Sequence, residues 1–182
     1  IYKAKNKKTK EIVALKIITE KKAEEAPSKE TLRELLVLMN FEHQHIVSFR
    51  NVFVNKNSIV LEQEYCTCDL SQVIKSISKP FTLNQIRKII NSIAEGLLFL
   101  HENDITHRDI KPSNILIDEN CIVKLCDFGS SRIYIPNKLF TSGVGTKWYK
   151  APEILLGKKN YNKQIDVWSL GCILAELFLL EP

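Results

Sequence analysis

The stretch His107-Arg108-Asp109-Ile110-Lys111-Pro112-Ser113-Asn114 packs polar and charged side chains of distinct chemistry into eight residues. It lies between a long apolar-periodic segment, Leu83 to Asn103, and the apolar run Ile115-Leu116-Ile117. That setting predicts a loop held between a helix and a strand, where reactive groups are usually displayed. The Asp109 carboxylate can accept a proton from a hydroxyl, and the Lys111 ammonium can neutralise a phosphate. The Asn114 amide oxygen can share a divalent cation with a carboxylate. Such a carboxylate comes thirteen residues later, at Asp127 in Asp127-Phe128-Gly129, just after the apolar strand candidate Ile122 to Leu125.

Upstream, Ile1 to Ala4 and Glu11 to Ile18 read as a hairpin around Asn6-Lys7-Lys8-Thr9. Lys16 sits within a segment apolar on both faces. An unpaired buried ammonium is costly, so it needs an anion, unless the strand is an edge with its lysine exposed. Ser28 is placed to cap a helix whose apolar face is Leu32, Leu35, Leu36, Leu38 and Met39, and Glu34 follows Lys16 by eighteen residues. Ile46 to Val54 and Ser58 to Gln63 are two further strands. Asp69 to Ile77 is a short helix, and Thr82 caps the long one. His43 and His45 are expected to orient backbone, and His101 to be a packed or helix-end histidine. Residues 130–150 have little periodicity and read as exposed. Asp166 to Leu180 is apolar all round and reads as a buried helix.

Taken together and in this order, these motifs resemble the eukaryotic protein kinases over nearly the whole chain. The resemblance is to the serine/threonine type, in the cyclin-dependent/MAP kinase group, nearest the cell-cycle-related branch of the cyclin-dependent kinases. It implies an α+β, two-lobed protein-kinase fold truncated at both ends. Residues 1–65 form a small antiparallel sheet lobe with one helix, and residues 66–182 an incomplete, mainly helical lobe. The chain opens on Ile1 after the family's glycine-rich loop and stops before its last helices, so in isolation it is expected to be inactive or insoluble. ATP and Mg²⁺ are the implied cofactors. By resemblance Lys16, fixed by Glu34, holds the α- and β-phosphates, and Asn114 with Asp127 holds the metal. Asp109 is the catalytic base and Lys111 offsets γ-phosphate charge. Backbone groups of Glu64 and Cys66 pair with adenine, Gln63 is the gatekeeper, and Asp69 reaches the ribose. Leu38, Phe49, His107 and Phe128 take packing roles, and Asp166 holds the backbone of the catalytic loop. Lys111, two residues after the base, is the serine/threonine type's residue.

The same resemblance implies a switch. Arg33, Arg108 and Arg132 stand where related kinases converge on a phosphothreonine, and Thr141, seven residues before Trp148, is at the corresponding position. Three unrelated surface arginines are the plain alternative. Gly143 occupies the place of the second phosphosite of MAP kinases, which argues against dual phosphorylation. The segment Gly145 to Glu153 resembles one that shapes a pocket for proline after the target Ser/Thr, with Lys150 in place of the usual arginine. Protein substrates carrying Ser/Thr-Pro and a cyclin-like activator are therefore the expected partners.

The totals fit this reading without demanding it. The chain has 182 residues, 45% apolar and 26% charged, with a net charge of +5. Lys5 to Lys10 is the densest basic patch and reads as a solvated turn, so no nucleic-acid partner is expected. Ser169 to Leu180 is too short for a membrane span and contains Glu176, so no membrane partner is expected either. Five scattered cysteines form no metal pattern and suit a reduced protein of the cytoplasm and/or nucleus, with Cys66 and Cys68 packed. Two other classes compete: a pseudokinase or scaffold, and a small-molecule phosphotransferase of similar fold. The intact set Lys16, Glu34, Asp109, Asn114 and Asp127 argues against the first, and Ala151-Pro152-Glu153 with the arginine set against the second.

Overall fold

Strict alternation builds the first layer. In β4 (Ser58–Glu64), Ile59, Leu61 and Gln63 are buried, and the residues between them are half-buried. In this computed structural model, which describes residues 1–19, 27–55, 58–135 and 146–181, β4 lies inside a four-stranded sheet. With β1 (Tyr2–Lys5), β2 (Ile12–Thr19) and β3 (Phe49–Asn55) it forms the antiparallel order β1-β2-β4-β3. The turn joining β1 and β2 is closed by the Asn6 side chain, whose Oδ1 accepts from Lys8 N at 2.9 Å. Residues 46–48, read as the start of β3, lie outside that strand: Ile46 bridges in parallel to Leu125 of the second layer.

The helix α1 (Lys29–Asn40) starts where Ser28 Oγ accepts from Thr31 N at 3.2 Å. Its inward face is Thr31, Glu34, Val37 and Leu38. Only part of the apolar face expected from periodicity is buried: Leu38 is buried and Leu35 packs against the core, but Leu32, Leu36 and Met39 are 49%, 44% and 60% exposed. Glu34 decides the rotation, because its pairing with Lys16 turns the inward stripe toward the sheet and leaves Leu32, Leu36 and Met39 on the outer side.

The second layer begins with β5 (Cys68–Asp69) and α2 (Leu70–Ser76), followed by α3 (Leu83–Glu102). Thr82 and Gln85 form a reciprocal capping box at the start of α3, and Ile86, Ile89, Ile93, Leu97 and Leu100 form its buried stripe. After α3 come β6 (Ile105–Thr106), β7 (Ile115–Ile117), β8 (Val123–Leu125) and β9 (Arg132–Ile133), then α4 (Pro152–Leu155) and α5 (Gln164–Leu179). The segment after residue 130 is less exposed than expected: Ser131 is buried, β9 pairs with β6, and Tyr149 is buried. Residues 136–145 lie outside the described residues. Only one face of α5 is buried, through Ile165, Asp166, Ser169, Ile173, Glu176 and Leu177. Trp168, Phe178 and Leu179 are exposed, which corrects the reading of this helix as buried all round.

Strand β8 joins the layers. Leu125 N donates to His45 O and Val47 N to Leu125 O, both at 2.9 Å, and His45 Nδ1 donates to Val123 O at 2.8 Å. One contiguous core then runs from Val37, Leu38 and Leu61 through Ile93 and Leu125 to Phe128 and Ile173. Phe49 packs against it, and His107 lies within 5.1 Å of the Phe128 ring centroid. All five cysteines carry free thiols, and no helix of the described residues is long and apolar enough to cross a membrane.

Gly96 in α3 presses against this junction, and a Cβ there would lie 2.9 Å from His45 O and 3.0 Å from a Leu125 methyl. Alanine gains about 1 kcal/mol of helix propensity, but overpacking against backbone costs about 1–3 kcal/mol. Gly96→Ala is therefore expected to lower stability, by ~1 kcal/mol. Urea unfolding of the intact protein measures this, and a stabilised variant would contradict the close approach.

Candidate active site

The loop at 107–114 is shaped by a carboxylate that lies far away in sequence. Asp166, in the first turn of α5 and 1% exposed, accepts from His107 N and Arg108 N at 2.8 Å each. His101 Nε2 is 2.9 Å from the same carboxylate. Arg108 takes a left-handed φ of 70°, a conformation costing about 1–3 kcal/mol for a residue with a Cβ. Two bonds to a charged acceptor, each worth about 1.5–3 kcal/mol, offset that strain. The His107 ring is buried and its Nε2 donates to Cys126 O at 3.0 Å, so it supports the loop.

The bend sets Asp109 among donors. Its Oδ2 accepts from Lys111 Nζ at 2.8 Å and Asn114 Nδ2 at 3.1 Å, and its Oδ1 from Thr146 N at 3.2 Å. Asn114 is buried, and Nδ2 also donates to Asp109 O at 2.8 Å. The amide nitrogen is thus occupied, which leaves the Asn114 oxygen as the atom for a cation.

A second cluster forms where α1 meets β2. Lys16 Nζ donates to Glu34 Oε1 and Oε2 at 2.7 and 2.8 Å, and to Asp127 Oδ1 at 3.0 Å. The anion that Lys16 required is therefore present twice over. Burial pulls the Lys16 ammonium down, but the two carboxylates outweigh it and hold the group above its ordinary range. Burial pushes the Glu34 carboxyl up against the pull of Lys16, with Asp127 adding to the rise. Asp127 goes the other way: burial raises it, but Lys16, His107 and Lys111 together hold it below the usual carboxylate range. With all three groups ionised the cluster keeps a net negative charge, which suits a cation. A cavity of about 320 Å³ opens beside it, lined by Lys16, Glu34, Asp127 and Gly129 among others.

The two clusters are neighbours, because Cys126 N donates to Asn114 O at 3.0 Å and delivers Asp127 next to the loop. Asp127 has a left-handed φ of 63° and Phe128 is fully buried behind it. The five separated residues Lys16, Glu34, Asp109, Asn114 and Asp127 are thus gathered at one place. Gln63 is buried in β4, where it pairs with Ala14 of β2. Glu64 ends β4 and Cys66 follows, half-buried, its thiol pushed up to about 12 by burial and the Glu64 charge. Asp69 caps α2, accepting from Gln72 N at 3.0 Å and from Ser71 Oγ, so one of its oxygens is engaged with the helix.

The three arginines are gathered too. Burial pushes the Arg108 guanidinium down, and the nearby Arg132 and Arg33 charges add to that. Arg108 donates to Ser130 O at 2.6 Å and to Tyr161 OH at 3.0 Å, Arg33 pairs with Glu30 at 3.3 Å, and Lys150 is half-buried. Arg132 Nε is buried with no hydrogen-bond partner among the described residues. Thr141, Gly143 and Gly145 lie outside the described residues. Sequence reading missed three supports. His101 on Asp166, Tyr149 OH on Glu176 at 2.7 Å, and Lys124 on Glu64 at 3.0 Å each join residues across long stretches of chain, with no local pattern to announce the pairing.

This sheet layer joined to a helical layer, with the Lys–Glu–Asp cluster against a strained Asp/Asn loop, defines a protein kinase fold. The chain belongs to the protein kinase domain family, which it matches over residues 1–182. It is 42% identical over 185 residues to cyclin-dependent kinase G-2 of Oryza sativa subsp. indica, covering 100% of this chain and 26% of that protein. Human cyclin-dependent kinase 20 is 37% identical over 185 residues, covering 100% of this chain and 54% of its own length. The chain therefore spans between about a quarter and about half of these curated relatives. The crystal structure of the yeast RNA Pol II CTD kinase CTDK-1 complex superposes with a TM-score of 0.90 at 36% identity, covering 98% of this chain and 58% of that one.

Because the folded Asp127 carboxyl is depressed, its stabilising effect is complete above its unfolded value of 3.8 and is lost as pH falls through the lower folded value. Thermal unfolding of the intact protein between about pH 5 and pH 2 should show a smaller acid-side loss for Asp127→Asn than for wild type. Parallel curves would contradict the Lys16–Asp127 pairing.

Proposed function

We propose that the protein carrying this domain transfers phosphate from ATP to serine and threonine hydroxyls of proteins, preferring sites followed by proline. The observation that carries the phosphoryl-transfer reading is the Asp109 carboxylate held by Lys111 and Asn114 beside the Lys16–Glu34–Asp127 cluster, and the proline preference rests on the resemblance of the segment Gly145 to Glu153. Phosphoryl transfer asks a protein mainly for positioning and charge neutralisation. Asp109, its oxygens oriented by fixed donors, orients the attacking hydroxyl and receives its proton as that oxygen bonds to the γ-phosphorus and the bond from this phosphorus to the bridging oxygen breaks, with ADP as the leaving group. Lys111 offsets charge on the transferred group. Lys16, kept protonated and in place by two carboxylates, holds the α- and β-phosphates. Main-chain groups of Glu64 and Cys66 hold adenine, and Asp69 offers its second oxygen to the ribose. The Asp127 carboxylate and Asn114 amide oxygen fit Mg²⁺, which favours hard oxygen ligands and leaves positions for phosphate. When bound, the ion supplies neutralisation of charge on the phosphate oxygens.

Losing the base should cost about 10²–10⁴-fold in rate. Asp109→Asn in the intact protein is expected to do so, and wild type is expected to phosphorylate Ser-Pro peptides over matched Ser-Ala peptides in a radiometric array. Equal transfer to both overturns the proline preference. Nucleotide binding by wild type without transfer favours the scaffold reading instead.

The regulatory half of the proposal is that phosphorylated Thr141 docks on Arg33, Arg108 and Arg132, and that a cyclin-like activator seats on α1. Three gathered guanidinium groups, one with a buried nitrogen that has no partner among the described residues, suit a phosphate of about −2 charge. The outward Leu32, Leu36 and Met39 suit an apolar partner, and Leu36 lines a cavity of about 230 Å³ with Ile133, Ile135 and Arg132. The cyclin-dependent kinases among the relatives support the activator. Thr141→Ala and Leu36→Glu are each expected to lower peptide phosphorylation by the activated intact protein at least about tenfold, with Leu36→Glu also abolishing co-purification of a cyclin. Full activity in either variant refutes the corresponding half.

A further inference from the structure

Glu64 is held from three sides. Its N–H donates to Ser48 O at 3.0 Å, and its Oε1 accepts from Ser48 N at 2.6 Å and from Lys124 Nζ at 3.0 Å. The ion pair is secluded, the Lys124 and Glu64 side chains being 8% and 17% exposed. Lys124 has little freedom to drift. Its strand β8 pairs with β7 on one edge, opposite Leu116, and is stitched to His45 and Val47 on the other. The same strand runs directly into Asp127. A buried ion pair contributes little net stability relative to an apolar pair of the same size, so what it chiefly adds here is fixed geometry.

We infer that Lys124 is a positioning residue for the nucleotide. Through the Glu64 carboxylate it fixes the Glu64 main chain, and so sets the preference for a purine bearing an amino group at C6 over one bearing an oxo group. This inference rests on the nucleotide-binding reading above, in which main-chain groups of Glu64 meet adenine. A 6-amino group donates to a carbonyl held in place, whereas a 6-oxo group presents an acceptor and gains nothing from it. Displacing that carbonyl therefore weakens one ligand and spares the other. A loss of general folding would weaken both.

The test measures ADP and inosine diphosphate (IDP) affinities by calorimetry, with melting temperatures, for the intact protein. It compares wild type with Lys124→Met, Lys124→Arg and the double variant Lys124→Met/Glu64→Gln. Lys124→Met should raise the ADP Kd about tenfold, the size of one neutral hydrogen bond at the upper end of its range, and leave the IDP Kd within about twofold. Lys124→Arg should restore ADP binding. The double variant, free of the stranded carboxylate that burdens the single one, should recover the melting temperature yet still bind ADP weakly. ADP affinity at wild-type level in the double variant, or equal losses for ADP and IDP, overturns the role of Lys124. A wild-type protein that binds neither nucleotide overturns the underlying site reading instead.

Discussion

A buried carboxylate that accepts two main-chain N–H bonds fixes the shape of the loop on which the candidate site is built. Without Asp166, the left-handed turn at Arg108 would lose the two bonds to a charged acceptor that offset its strain, and the loop that presents Asp109 would lose its main-chain anchor. That carboxylate lies in the first turn of α5, whose inward face joins the main core at Ile173 and Leu177. The placement of Asp109 therefore depends on the packing of a helix more than fifty residues away.

Strand β8 extends this dependence to the sheet. It touches β7, the segment 45–47 and Glu64, and it is followed by Cys126, whose N–H reaches Asn114. The sheet supplies Lys16, α1 supplies Glu34, and β8 supplies the approach to Asp127. A shift of α1 would move Glu34 away from Lys16 and break the cluster, which gives the outward leucines of α1 a lever on chemistry they never touch.

Much of this was legible in the linear chain, for different reasons at different places. Ser28 and Thr82 announced helix starts because capping is local chemistry. Lys16 within an apolar strand demanded an anion, and Glu34 and Asp127 are that anion. Leucine count was right for Leu35 and Leu38 but misjudged Leu32, Leu36 and Met39, because an ion pair chose the inward face of α1. Apolarity misjudged α5, whose outer face keeps Trp168 and Phe178 uncovered in this chain. His101, Lys124 and Glu176 were opaque because each acts on a partner that only the fold brings near.

The cysteines carry one more consequence. Cys66 beside the end of β4 and Cys126 before Asp127 both hold their protons firmly at neutral pH, the first by burial and the Glu64 charge, the second by burial and Asp127. Only the thiolate attacks electrophiles, so the walls of the site are chemically quiet. Cys121 stands exposed in the turn before β8, and alkylating reagents or mild oxidants will find it first. A dye attached there would label the exposed turn that leads into β8, the strand that runs on to Asp127.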